Sequence, residues 1–333
     1  MKDILLQQIV SDKTKKRGEE LFLKIGTEHK MHNLPWAELA TTDPKKADIN
    51  IYGIPFDGAA SIGKGASEAP DRIRHLSKGL PPTTEEGVIL EDFSIYDAGD
   101  APLDLNWERY YGDIEKTAEE LIKDKFTLFI GGDHSVTIPL LGGFRKAYDG
   151  KKIGVIHFDC HPDLMDEYEG HKWAHACPLR RFLEFEDVEA KDLAQVGMRS
   201  FEPEEVHFIN ENNINFYHAS KVDQLGAEEV TQQLIEAYKD YDAVYITTDI
   251  DVLDPAYAPG TGTPEGGGLS SRQMMYMTRE LVKNLPVAAY DLVEISPPRD
   301  VNDITSWAGL KIIYEIFAGL YENKNPNFIK IRV

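Results

Sequence analysis

Short apolar runs rich in β-branched and aromatic residues recur along the chain at 48–54, 126–130, 153–158, 193–196, 214–217, 243–248 and 287–295, and each predicts a strand. Between them the apolar positions recur at helical spacing, predicting helices over 107–123, 138–148, 227–238, 271–284 and 304–321. In the first of these, Ile114, Ala118, Leu121 and Ile122 share one face, and Asn106 stands where an N-cap belongs. Strands alternating with helices predict an α/β fold, with a mainly parallel central sheet covered on both sides in three α/β/α layers. The run at 153–158 is apolar almost throughout, as expected of a central strand buried on both faces. Residues 1–47 read as a partly helical N-terminal extension ending in a loop at Asp43-Pro44. Residues 48–333 read as a single α/β catalytic domain, because no internal repeat or Ser- or Pro-rich linker divides them.

Polar clusters follow three of the predicted strands. Gly131-Gly132-Asp133-His134-Ser135 follows 126–130, Asp159-Cys160-His161-Pro162-Asp163 follows 153–158, and Asp249-Ile250-Asp251 follows 243–248. In open parallel sheets, ligands bind beyond the carboxyl ends of the strands, and all three clusters occupy that place. Alternate side chains of extended backbone point the same way, so Asp159, His161 and Asp163 can face one site, as can Asp249 and Asp251. His134 adds a second imidazole. Four carboxylates and two imidazoles converging in a cleft of low dielectric demand cations, and two divalent ions balance the charge. Oxygen-rich ligation with two histidines suits manganese better than a thiolate-rich zinc site, with nickel, cobalt or iron left open. Metal coordination lowers the pKa of water from about 15.7 to about 7. That supplies a nucleophile strong enough for a poor electrophile such as a guanidinium carbon.

The charge balance excludes some partners. With 36 Lys and Arg against 57 Asp and Glu, the net charge of −21 disfavours nucleic acid and anionic membranes and is compatible with a cationic substrate. The two cysteines, Cys160 and Cys177, are too few for a disulfide framework and read as packed thiols of a reduced compartment. The N-terminus lacks a signal-peptide pattern and no run approaches the ~20 apolar residues of a membrane span, so a cytoplasmic location is expected. The basic patch from Lys13 to Arg17 reads as a solvated helix face.

Together the segments quoted above, with His157-Phe158 before Asp159 and the run from Thr248 through Asp254-Pro255 to Gly267, make the chain resemble the ureohydrolase family of arginases, agmatinases and related guanidino hydrolases. The likeness runs from about Asp48 to the C-terminus. It implies an arginase-like fold and a binuclear manganese centre. One metal would be held by His134, Asp159, Asp163 and Asp249, the other by Asp159, His161, Asp249 and Asp251. It also implies that His175, in Trp173-Ala174-His175-Ala176-Cys177-Pro178, handles protons and that Glu294, in Val293-Glu294-Ile295-Ser296-Pro297-Pro298, pairs with the guanidinium. Asp163 would help orient the attacking solvent. Homo-oligomers, trimers or hexamers, are expected on the same grounds.

Substrate choice turns on the tail pocket. The stretch Met165-Asp166-Glu167-Tyr168-Glu169-Gly170-His171 is acidic and departs from the Asn- and Ser/Thr-rich pattern of animal-type arginases. An acidic rim favours an amine tail, hence hydrolysis of agmatine to putrescine and urea. Arginine, guanidinobutyrate and guanidinopropionate remain as alternatives. Arg299 is a candidate partner for a carboxylate tail, and a mononuclear zinc deacetylase is a more distant reading. Asp133 and Asp254 are candidates for orienting or turn-forming roles, Trp173 for pocket lining or core packing, and Gly131 and Gly132 for a sharp turn before His134.

Overall fold

The computed structural model describes residues 35–326 and 328–331. The helical expectation and the basic patch before residue 35 lie outside the described residues. Eight strands form one sheet: β1 (Ile49–Gly53), β2 (Ile95–Asp100), β3 (Thr127–Ile130), β4 (Ile153–Phe158), β5 (Leu193–Met198), β6 (Asn215–His218), β7 (Ala243–Asp249) and β8 (Val287–Val293). Their order is β2-β1-β3-β8-β7-β4-β5-β6, and every neighbouring pair is parallel. The α/β sheet expected from the sequence is therefore present, and its parallel pairing is complete.

Among the described residues eight α-helices lie between strands and a ninth follows the last: α1 (Ala69–Ser77), α2 (Trp107–Asp124), α3 (Thr137–Ala147), α4 (Pro178–Phe182), α5 (Pro203–Asn212), α6 (Ala219–Leu225), α7 (Ala227–Tyr238), α8 (Ser271–Asn284) and α9 (Ile304–Lys324). Strand alternation splits the core in two. In β4, Ile153 and Val155 pack with α2, α3 and α4, whereas Ile156 and Phe158 pack on the opposite face with α6 to α9. Both faces are covered, so the central strands are buried along their whole length.

Local signals set the helix ends. The Asn106 side chain accepts the Arg109 N–H at 2.9 Å to cap α2, and Ser270 and Gln273 form a capping box on α8. Strand β2 was not expected. It is a half-exposed edge strand, so its sequence, Ile-Tyr-Asp-Ala-Gly-Asp, carries no continuous apolar run. Just before β1, Trp36 is buried against Phe317 and donates its indole N–H to Asp97 at 2.8 Å. Part of the expected extension is thus packed into the sheet domain's core.

The sheet order positions the site. Strands β3, β8, β7 and β4 are immediate neighbours, and each ends in one of the segments singled out in the sequence. Between β3 and β4, consecutive in the chain, lie the later strands β8 and β7, so the connections diverge and leave a crevice at this point.

Candidate metal centre

The strand ends bring all six expected metal donors together. His134 Nδ1 lies 3.0 Å from Asp159 Oδ2, 2.9 Å from Asp163 Oδ2 and 3.5 Å from Asp249 Oδ2. His161 Nδ1 lies 3.5 Å from Asp159 Oδ1 and 3.3 Å from Asp251 Oδ2. Asp159 faces both imidazoles, one through each oxygen. Two backbone features aim the donors: Asp249 accepts the Asp251 N–H at 2.8 Å, and Asp251 accepts the Cys160 N–H at 3.1 Å. The second bond ties the loop after β4 to the loop after β7.

Asp163 and Glu294 both sit in the left-handed region, at φ 54° and 61°. Such conformations cost on the order of 1–3 kcal/mol in non-glycine residues and concentrate at functional sites. The Asp163 carbonyl accepts the Leu179 N–H at 3.1 Å, and the Glu294 N–H bonds the Gly132 carbonyl at 2.8 Å, which fixes both bends. The chain bends at Gly132-Asp133 just before His134, and the glycine there also meets a second requirement. A Cβ on Gly132 would lie 1.6 Å from the Phe56 carbonyl oxygen, so this position requires close backbone approach, not positive φ.

The donor set fits divalent cations. His134 Nε2 is 2.9 Å from the Thr247 hydroxyl, which donates to Asp291 at 2.6 Å. Nε2 then carries a proton and Nδ1 points at the carboxylate oxygens; burial acts to lower the ring's pKa, but Asp159, Asp163 and Asp249 hold it well above the ordinary value. No hydrogen-bond geometry satisfies this buried atom. Nδ1 facing three carboxylates calls for a positive charge between them, a proton in the metal-free chain or a cation in its place.

The protonation tendencies agree. Burial and Asp159 push the Asp163 carboxyl up to about 7, with His134 pulling it back. Burial and the neighbouring acids raise Asp249 and Asp251 as well. Burial also acts to raise Asp159, but His157, His134 and His161 hold it well below the usual range. Without cations the cluster retains protons, and cations supply the charge that four ionised carboxylates need.

Two further groups lie within ligand distance and are committed elsewhere. His157 Nε2 donates to Asp159 Oδ2 at 2.8 Å, and its Nδ1 accepts from Gln195 at 3.2 Å. Burial lowers its pKa to about 4, so it is a neutral prop for Asp159. Cys160 Sγ lies 3.8 Å from His161 Nε2, the ring nitrogen that does not face Asp159 and Asp251. Burial pushes both cysteine thiols up to about 12, in keeping with packed thiols.

A cavity of about 180 Å³ opens over the cluster, lined among others by His134, His161, Asp163, Asp249, His175 and Glu294. Glu294 Oε1 accepts the His134 N–H at 2.9 Å, and burial with nearby Asp133 raises its carboxyl well above the ordinary value. His175 Nδ1 donates to the Ala59 carbonyl at 2.7 Å, leaving Nε2 to face Ser61 Oγ at 3.4 Å. Asp133 holds that same loop, accepting the Ala59 N–H at 2.8 Å, and it also accepts from Ser135. Asp254 forms turns, accepting from Ala256 and Gly267. Trp173 packs on Tyr111 and does not line the cavity.

The acidic rim differs from expectation. Within 165–171 only Met165 and Tyr168 line the cavity. Asp166 turns away because Arg181 and Lys172 hold its carboxylate at 2.7 and 3.3 Å. The acids at the mouth are Glu202, which is exposed, and Glu205, whose oxygens accept the Leu164 and Glu202 N–H groups. Arg299 is not among the lining residues, nor is any other arginine or lysine.

Sequence reasoning missed Thr247, Asp291, Gln195 and Arg199 and gave His157 no role. Arg199 donates to the carbonyls of Asp251 at 2.6 Å and Glu265 at 2.8 Å, clamping two site loops. A lone polar residue within an otherwise apolar strand was the available signal for the others.

With fold and site established, relationship to known proteins follows. Residues 47–319 match the arginase family, and the chain belongs to it. It is 36% identical to the agmatinase of Bacillus subtilis (strain 168) over 282 residues, which cover 83% of this chain and 92% of that protein. It is 33% identical to the guanidinopropionase of Pseudomonas aeruginosa over 299 residues, covering 85% of this chain and 90% of that one. The crystal structure of agmatine ureohydrolase from Thermoplasma volcanium superposes with a TM-score of 0.78 at 26% identity, covering 91% of this chain and 99% of that chain. Among the described residues no helix is long and apolar enough to cross a membrane.

Proposed function

We propose that this chain is a binuclear, manganese-dependent amidinohydrolase that converts agmatine and water into putrescine and urea. The observation that carries this reading is the convergence of six donors from three strand ends around an unsatisfied His134 Nδ1. His134, Asp159, Asp163 and Asp249 would hold one ion, and Asp159, His161, Asp249 and Asp251 the other. Bound divalent ions supply Lewis acidity, bringing the pKa of water from about 15.7 to about 7.

The chain's own residues do the rest. Glu294 offers a fixed carboxylate, with one oxygen on the His134 N–H, to pair with the guanidinium and orient its carbon. Asp163 accepts a hydrogen bond from the attacking water. As water adds, the bond from the guanidinium carbon to the chain nitrogen breaks and the departing amine takes up a proton. His175 relays it through Nε2, taking up the proton that the attacking water releases and passing it to the amine, its ring aimed by the Ala59 carbonyl. Without a lining cation, a carboxylate tail would meet no counter-charge, whereas an ammonium tail meets Glu202 at the mouth.

The test is urea release from a panel of agmatine, arginine, guanidinobutyrate and guanidinopropionate by manganese-loaded protein. The expected order places agmatine first, and Glu202→Gln should raise KM for agmatine by roughly tenfold, with kcat little changed. Failure to release urea from any of the four overturns the proposal.

A further inference from the structure

A row of polar side chains crosses the buried sheet directly beneath the donor cluster. In the ladder, Gln195 of β5 is opposite His157 of β4, His157 is opposite Thr247 of β7, and Thr247 is opposite Asp291 of β8. All four are fully buried. Each occupies a strand whose same-face neighbours are apolar, such as Val155, Tyr245 and Ala289. Polar groups are placed at such cost where partners compensate them, and here two of the four, His157 and Thr247, bond upward to Asp159 and His134. His157 and Thr247 precede Asp159 and Asp249 by two residues, one step along the same strand face.

The Asp291 end of the row is built with the greatest redundancy. Its carboxylate accepts three hydroxyl donors: Thr247 at 2.6 Å, Tyr245 at 2.8 Å and Thr137 at 2.9 Å. Thr247 donates to Asp291, so the single Thr247 proton is directed toward the carboxyl. The Thr247 oxygen is then left to accept from His134 Nε2 at 2.9 Å. Orientation passes from a buried carboxyl through one hydroxyl to a ring nitrogen, and it aims the other ring nitrogen at the cluster. His161 has no comparable support, since its Nε2 faces only a thiol at 3.8 Å.

We propose that Asp291, acting through the Thr247 hydroxyl, is a positioning residue that fixes the tautomer and pose of His134 and thereby sets the affinity of one of the two cation sites. This rests on the metal-binding reading above but not on any choice of substrate. Loss of the relay leaves the His134 ring free to turn, so that its Nδ1 is no longer held over Asp159, Asp163 and Asp249. Outer partners of metal-ligating histidines are worth about 10- to 100-fold in affinity.

The experiment is calorimetric titration of metal-free protein with Mn²⁺, without substrate, together with metal counting after dialysis. The unaltered chain should bind two ions. Thr247→Val and Asp291→Asn should each weaken one ion by roughly 10- to 100-fold and leave the other unchanged. Thr247→Ser, which keeps the hydroxyl, should bind like the parent, a rescue that a general packing role would not give. Should Thr247→Val and Asp291→Asn fail to fold, Tyr245→Phe, which removes one donor from Asp291, carries the test with an expected several-fold weakening of the same ion. Unchanged affinity for both ions in the folded variants overturns the inference. A parent chain that binds no Mn²⁺ overturns the metal-binding reading itself and the inference with it.

Discussion

The two imidazoles over the carboxylate cluster are held in different ways. His134 follows β3, is fully buried, and rests through Thr247 on a carboxylate with three hydroxyl donors. His161 lies on the loop after β4, its side chain is 28% exposed, and its outer nitrogen faces a thiol. Its place is set from the backbone side, by its N–H to Asp159 at 2.6 Å and by the Cys160 N–H to Asp251. One half of the site is thus an outgrowth of the sheet interior and the other a product of loop docking. The half rooted in the sheet depends on hydroxyls far from solvent, whereas the half at the rim depends on loops that Arg199 keeps in register.

The largest effect should come from removing what both halves share. Asp159→Ala deletes the carboxylate that faces both imidazoles, and urea release from agmatine should fall by roughly a thousandfold or more. Retention of both ions by this variant, measured by elemental analysis, would refute the bridging assignment. A smaller effect separates the halves. His134→Ala and His161→Ala should each keep one ion, but their metal-free stabilities should differ. His134→Ala leaves the buried Thr247 oxygen short of a donor and should cost about 1–3 kcal/mol in denaturant unfolding, against less than about 1 kcal/mol for His161→Ala. Equal losses would mean that the support described for His134 is not felt in the fold.

The smallest effect concerns pH in the metal-free protein. Burial and Asp159 raise Asp163 to about 7 in the folded chain, above the ordinary carboxylate value near 3.8. The folded state therefore holds a proton that the unfolded chain releases first. Stability from this group is fully present below about 4 and is lost as pH rises through about 7. Thermal unfolding of metal-free protein should accordingly show a lower Tm at pH 8 than at pH 5.5, and Asp163→Asn should flatten the difference. Added Mn²⁺ should abolish it by replacing the proton. A metal-free Tm that is the same at both pH values would remove the basis for the raised Asp163 carboxyl.

The donors were legible in the sequence because each follows an apolar run, and backbone alternation then dictates which side chains share a face. Helices α7 and α8 and strand β4 were legible to the residue, since their periodicity is unbroken and their ends carry stop signals. Strand β2 was not, because an edge strand need not be apolar. Helices α1, α4, α5 and α6 are short, and their apolar positions are too few to establish a period. The supports were harder still. Thr247 and Asp291 stand within strands that read as core, and nothing in one strand reveals that its polar residue lies level with another's. That knowledge lives in the ladder register, which forms only between strands distant in sequence. The acidic rim was misjudged for a related reason: composition gave the charge of 165–171, but only the fold shows Arg181 reaching Asp166.

The position of β8 carries a consequence for how the molecule comes into being. This last strand in the chain lies between β3 and β7, in the middle of the sheet. A polypeptide emerging from its N-terminus must leave those two strands without their shared neighbour until residues 287–293 arrive. The facing edges of β3 and β7 close, and Glu294 reaches the crevice, only when this one central strand inserts between them.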